Sequence, residues 1–199
     1  MNKRIEICGA IASGKTSLAK ILAQEGFISI YERFEDNPFL SSFYTDNEDN
    51  NVLETELVFV LLHYNLIKQK KNIGKIVCDY SLMQDYCYGA NNLEQEEMSV
   101  FDNLYSHLIK QILPADLIIY LKCNVDCLLQ RIKERDRKME QSISKDYLQS
   151  NINVIENYLF TQDNILVIPS DKYNFIDIDN DKDTVIKMIK DCCEKLNIL

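Results

Sequence analysis

"GAIASGKT" (residues 9–16) decides how the rest of the chain is read. It fits the pattern G-x-x-x-x-G-K-[ST]. It lies between a short apolar run, "RIEIC" (4–8), and an amphipathic stretch, "GKTSLAKILAQE" (14–25). A strand that turns through such a loop into a helix presents a row of backbone N–H groups. The helix N-terminus adds a dipole that favours an anion. Gly9, Ala10, Ile11, Ala12, Ser13 and Gly14 are therefore expected to cradle phosphate oxygens. Lys15 brings a positive charge to β- and γ-phosphates, and Thr16 offers a hydroxyl to Mg²⁺. The competing reading, a chance match in a glycine-containing turn, is countered by the strand before and the helix after. Ala12 stands where many such loops carry glycine. If the position needs a positive φ, the methyl group strains the backbone there.

Outward from the loop, strand and helix patterns alternate. "FISIY" (27–31), "KIVCD" (75–79), "DLIIYL" (116–121) and "NILVIP" (164–169) read as further strands. "VLETELVFVLLHYNLIKQKK" (52–71), residues 81–91 and 95–112, "VDCLLQRIKER" (125–135), residues 142–160 and "DTVIKMIKDCCEKL" (183–196) read as helices. The order predicts an α/β fold: a five-stranded parallel sheet with helices on both faces. No repeat or linker interrupts it, so residues 1–199 read as a single domain.

Composition narrows the partners. The 199 residues are 46% hydrophobic and 27% charged, with a net charge of −9. That balance argues against a nucleic acid or an anionic membrane surface as partner. No apolar run is long enough to span a bilayer. The 7 cysteines follow no metal-binding spacing, and most sit in apolar runs. They read as reduced core residues of a cytoplasmic protein.

Three other stretches carry chemistry. "YERFEDNPFLSSFYTD" (31–46) follows the second strand and holds Glu32 and Tyr44. "CDYSLMQDY" (78–86) ends the third strand on Asp79 and adds Asp85 six residues later. "LLQRIKERDRKMEQSISKDYL" (128–148) carries Arg131, Arg135, Arg137 and Glu140. Arg131 and Arg135 are four apart and share a helix face. Taken alone the arginine run reads as a solvated charge face. Beside a phosphate loop it reads as a short arginine-rich lid, about residues 133–142, because guanidinium forks suit phosphate oxygens.

Together these stretches resemble the deoxyribonucleoside kinase family, most closely its bacterial deoxyguanosine and deoxyadenosine kinase branch. The resemblance covers nearly the whole chain, up to "SDKYNFID" (170–177). It rests on the joint pattern: the phosphate loop, an acid after strand two with N-P-[FY]-L and F-Y-x-D, an acid after strand three, and R-x₃-R-x-R-x₂-E. It implies a P-loop kinase that moves the γ-phosphoryl of ATP to the 5′-hydroxyl of a deoxynucleoside, with Mg²⁺, and a homodimer. A hydroxyl must lose a proton as it attacks, and Glu32 matches the family's general base. Arg131, Arg135 and Lys15 join it as catalytic residues. Arg135 and Arg137 join the loop in holding ATP. Asp79 fits a metal-associated carboxylate beside Thr16 and closes the nucleoside site. Tyr44 and Glu140 match the residues that hold the 3′-hydroxyl.

The resemblance puts base recognition on the long helix, at Glu56 and His63, with Val60 between and Asp85 in support. Positions seven apart share a helix face. An ionised carboxylate only accepts hydrogen bonds. Guanine offers two donors on one edge, whereas adenine, cytosine and thymine mix donor and acceptor. Glu56 thus points to deoxyguanosine, with His63 donating to O6 and Asp85 holding the imidazole. Glu54 is the rival position, but a two-residue slip would pair it with Leu61. Family members often carry an arginine after the third-strand acid, and here it is Tyr80. That departure, His63 in place of an arginine, and Ala12 leave two alternatives open. One is a deoxyadenosine/deoxycytidine kinase. The other is a weakly active, nucleotide-binding regulatory subunit of a kinase heterodimer. "NPFLSSFY" disfavours a thymidylate-kinase-like enzyme, and the absence of N-K-x-D disfavours a GTPase.

Overall fold

The computed structural model describes residues 3–44, 51–70 and 73–198. Thr45 and Asp46 of "FYTD", and Lys71 at the end of the long helix expected over 52–71, lie outside the described residues.

Five strands pair in parallel: β1 (Lys3–Cys8), β2 (Ile28–Ile30), β3 (Lys75–Cys78), β4 (Leu117–Lys122) and β5 (Ile165–Pro169), in the order β2-β3-β1-β4-β5. Among the described residues eight α-helices connect and cover them: α1 (Lys15–Gln24), α2 (Leu40–Phe43), α3 (Val52–Lys70), α4 (Leu82–Asn92), α5 (Gln95–Ile109), α6 (Val125–Arg135), α7 (Lys145–Leu159) and α8 (Asp179–Lys195). The short α2 and two single 3₁₀ turns, Phe34–Asp36 and Lys138–Glu140, fall in stretches without a periodic apolar pattern.

The strand period of two divides the core. In β1, Ile5 lies opposite Val77 on one side and Leu117 on the other. Ile5 and Ile7 pack with Leu18 and Leu22 of α1 and Val185 and Ile189 of α8. On the opposite face, Ile76 and Cys78 meet Val60 and Ile67 of α3 and Phe101 of α5. Cys8, Ile118 and Tyr120 meet Met83 of α4 and Ile155 of α7. Each large aliphatic side chain buried this way contributes about 1.5–3 kcal/mol. Gly89 shows how tightly the second face is filled. A Cβ there would lie 2.7 Å from Phe101 Cε1, so only glycine lets α4 and α5 approach this closely.

Local signals set the helix ends. Asn124 caps α6 by accepting from the Cys127 N–H at 2.8 Å, and Ser144 caps α7 through the Tyr147 N–H at 3.1 Å. Asp136, with φ 52°, stops α6 in the left-handed region. The first three residues of the expected lid, 133–135, are therefore the last turn of α6; the chain reverses only after Arg135. The seven cysteines are all free thiols, five of them buried. Among the described residues no helix is long and apolar enough to cross a membrane.

Candidate active site

The C-terminal ends of β1, β2, β3 and β5 open on one cavity of about 740 Å³, the crevice where parallel α/β sheets bind ligands. That volume falls within the ~300–1,000 Å³ usual for small-molecule sites. The phosphate loop forms its floor. Ile11, Ala12, Ser13, Gly14, Lys15 and Thr16 line the cavity. Gly9 and Ala10 do not; they shape the loop from beneath. The Gly9 N–H donates to Gln84 Oε1 at 2.8 Å, and a Cβ at Gly9 would lie 2.6 Å from Ser13 Oγ. Ala12 does sit at positive φ, 65°. Lys15 Nζ donates to the carbonyls of Gly9 at 2.8 Å and Ala10 at 3.3 Å. Burial pulls its ammonium below the ordinary lysine range, against the attraction of Glu32 and Asp79. Ser13 Oγ is buried with no partner among the described residues, at the centre of the cradle.

Two acids flank the loop. Asp79, 3% exposed, accepts the Glu32 N–H at 2.6 Å and has the Thr16 side chain beside it. Burial raises its carboxyl, and those two neighbours oppose the rise. Glu32 is held below the usual carboxylate range: desolvation acts upward, but His63, Lys15 and Arg137 outweigh it. Among the described residues no cluster of three or more His, Cys, Asp or Glu could hold a metal. An adjacent hydroxyl and carboxylate do fit Mg²⁺, which takes few protein oxygens and fills its shell with phosphates and water.

The arginines divide. Arg131 Nη2 donates to Ser170 O at 2.6 Å and Nη1 to Ser13 O at 3.3 Å, tying the phosphate loop to the segment after β5. Arg135 pairs with buried Glu140, and Arg137 reaches Glu140 Oε1 at 3.3 Å. Arg137 also lies over the Phe34 ring at 4.3 Å. Glu140, expected at a sugar hydroxyl, is thus paired with the two arginines. Tyr44 lines the cavity, and its carbonyl accepts from Ser142 Oγ at 3.2 Å, joining the lid to the segment after α2.

On α3, Glu56 is buried and lines the cavity, whereas Glu54 is exposed. Glu56 Oε1 accepts from Asn92 Nδ2 at 2.7 Å. Desolvation raises its pKa to about 8, opposed by that bond and aided by Asp85. Val60 is corrected: it is 1% exposed and packs in the core with Tyr80 and Tyr64, away from the cavity. His63 is also redirected. Its Nδ1 lies 2.8 Å from Asp85 Oδ2 as expected, but its Nε2 lies 3.4 Å from Glu32 Oε1 instead of facing a base. Tyr80 stacks on the imidazole.

Several cavity residues were not anticipated. Tyr88, three residues beyond Asp85 on α4, has a buried hydroxyl with no partner among the described residues. Its i+3 spacing from Asp85 was the available signal. Tyr147 shares Asn92 with Glu56, at 3.3 Å. Phe34, Phe43 and Phe59 supply apolar wall, and Tyr173, Asn174 and Phe175 line the side beside the phosphate loop. These come from irregular segments or distant helices, which no single-stretch pattern joins.

The family model for deoxynucleoside kinase matches residues 5–194. A deoxyguanosine kinase of Bacillus subtilis is 33% identical over 159 residues, covering 76% of each chain. A deoxyadenosine/deoxycytidine kinase of the same organism is 26% identical over 203 residues, covering 94% of this chain and 92% of its own. A solved deoxyadenosine kinase from M. mycoides, with dCMP and dCDP bound, shares the fold with a TM-score of 0.82 at 20% identity, over 94% of this chain and 99% of that one.

Proposed function

The chain belongs to the deoxynucleoside kinase family, and on that footing we propose that it phosphorylates purine deoxynucleosides with ATP, deoxyguanosine before the others. Glu56 carries the proposal. It is a buried carboxylate on α3 that lines the cavity. Ionised, it accepts from both guanine N1–H and the 2-amino group, and two donors pointed at it would pull its proton off.

In the proposed reaction the 5′-hydroxyl oxygen attacks the γ-phosphorus in line. Its proton passes to Glu32, and the bond to the bridging oxygen breaks to release ADP. Lys15 and the loop N–H groups stabilise charge on the phosphates. Arg135 and Arg137 exchange part of their pairing with Glu140 for phosphate oxygens. Thr16 and Asp79 would hold Mg²⁺, which when bound neutralises the charge spread over the transferring group. Tyr44 and Glu140 are the proposed holders of the 3′-hydroxyl.

One observation favours a second reading. A Glu56 that keeps its proton, as its raised pKa allows, offers one donor and one acceptor like an amide. That form suits adenine or cytosine. A panel of the four deoxynucleosides with ATP and Mg²⁺, followed by ADP release, decides. A tenfold or larger lead for deoxyadenosine or deoxycytidine in kcat/KM would overturn the deoxyguanosine reading. Absence of turnover with all four would instead support a nucleotide-binding regulatory subunit. The family resemblance also supports a homodimer, to be measured by sedimentation.

A further inference from the structure

His63 has a carboxylate at each end of its ring. Asp85 of α4 lies at Nδ1, 2.8 Å away, and Glu32 at Nε2, 3.4 Å away. The side chain is 2% exposed. Tyr80 covers the ring with centroids 4.0 Å apart, and Phe59 lies 5.7 Å away. A neutral imidazole carries one N–H and can serve only one of these carboxylates. Only with protons on both nitrogens could both be met; Nε2 makes no hydrogen bond among the described residues, and its 3.4 Å approach to Glu32 is a charge contact.

We infer that His63, anchored by Asp85, is a positioning residue: the buried cation that orients Glu32 toward the acceptor hydroxyl, not a group that reads the base. This rests on the reading of Glu32 as general base. The surrounding charges support it. Asp85 comes from α4, Glu32 from beyond β2, and Tyr80 from beyond β3. Lys15 and Arg137 also act on Glu32. Desolvation pulls the imidazole down, but the two carboxylates more than offset it, and the ring's pKa rises to about 10. Tyr80 leaves the pair without an arginine beside it, and His63 supplies that charge from α3. During transfer His63 keeps both protons. The proton lost by the hydroxyl goes to Glu32 alone.

The test compares His63→Gln, His63→Arg and Asp85→Asn with the parent, recording kcat and KM for the deoxynucleoside from about pH 5 to about pH 9. His63→Gln is expected to lower kcat about ten- to a hundredfold while KM moves less than about threefold. Its acidic limb should shift up by about one pH unit, because Glu32 loses the neighbouring cation. Asp85→Asn should move both in the same direction, and His63→Arg should restore the limb. A rise in KM with kcat and the limb unmoved would overturn the inference and return His63 to the base.

A second measurement needs no activity. There are 2 histidines, and His107 is exposed, so ¹⁵N ring signals are assigned with His107→Gln. An imidazolium for His63 at neutral pH, whose titration falls in Glu32→Gln, supports the pairing. A neutral ring at neutral pH sinks it. If no nucleoside is phosphorylated, the kinase reading fails by itself and the ring signals still decide the pairing.

Discussion

The ring of Tyr80 lies flat on the imidazole of His63, with centroids 4.0 Å and planes 9° apart. The Tyr80 hydroxyl donates to the carbonyl of His63 at 3.4 Å, and the side chain is 2% exposed. A neutral aromatic can stack on a protonated imidazole, whereas a second cation in that closed space would repel it. Tyr80→Arg is therefore expected to destabilise the fold by about 3 kcal/mol or more and to lower kcat, despite restoring the family's usual residue. Tyr80→Phe keeps the stack and should stay within about 1 kcal/mol of the parent. Thermal melts and steady-state rates on the two variants check this. An active, stable Tyr80→Arg would show that the stack is dispensable.

Glu56 predicts a base preference that moves with pH. Its pKa of about 8 means that near neutrality the acid form predominates until guanine's donors draw the proton away. The ratio of kcat/KM for deoxyguanosine over deoxyadenosine should rise between about pH 6 and about pH 9. Glu56→Gln should abolish that slope and move preference toward adenine or cytosine by about tenfold, the effect of one mismatched hydrogen bond at ~1–3 kcal/mol. A ratio that stays flat in the parent enzyme would remove Glu56 from base selection.

The same group sets a stability slope. Its folded pKa lies above the value of the free side chain, so between the two the native state holds a proton that the unfolded chain has lost. Stability is therefore greatest below the unfolded value, near 4.5, and falls as pH rises through about 8. Glu56→Gln should raise the melting temperature at pH 8 relative to the parent and leave it nearly unchanged at about pH 4. Denaturation monitored at both pH values measures the difference.

Ala12→Gly should stabilise the protein by about 1 kcal/mol, because φ 65° burdens alanine and not glycine. Urea midpoints at unchanged m-value report it. A destabilised variant would mean that the methyl contributes more by packing with Leu128 and Ile132 than its backbone strain removes.

Arg131 offers a different signature. Its guanidinium holds Ser13 O and Ser170 O together, across 39 residues of chain on one side and 118 on the other. Arg131→Lys cannot reproduce both contacts. Expected are a loss of ~1.5–3 kcal/mol in stability and a raised KM for ATP with little change in KM for the nucleoside. An unchanged KM for ATP would confine Arg131 to a role remote from the donor.

The fold was legible because its signals are local. The loop pattern, the strand period and the long apolar helix each sit within one stretch, and the observed elements begin and end within a few residues of those expected. The loop between β1 and α1 was legible for the same reason, down to the positive φ of Ala12. The nucleoside end was less so. Val60 has the right helical spacing, yet α3 turns it toward Tyr64 and the sheet. His63 was placed on the correct side with the correct anchor. Its second contact depends on how far the segment after β2 reaches, and spacing along α3 does not encode that. Asn92, Tyr88 and Tyr147 join Glu56 only through the packing of α3, α4 and α7.

Gln84 couples α4 to the loop after β1. One residue before Asp85, it receives the Gly9 N–H at 2.8 Å. Two and three residues before that, the Leu82 N–H and Ser81 Oγ–H donate to Glu6 of β1 at 3.1 and 2.9 Å. The loop after β1 and the N-terminal turn of α4, which also carries Asp85, are thus bolted to one beam. Like the fixed jaws of a caliper, the loop and the helix would hold a constant spacing through these bonds. On the proposed function the frame would then set the reach of the site, and Glu56 would select among bases by hydrogen-bond pattern.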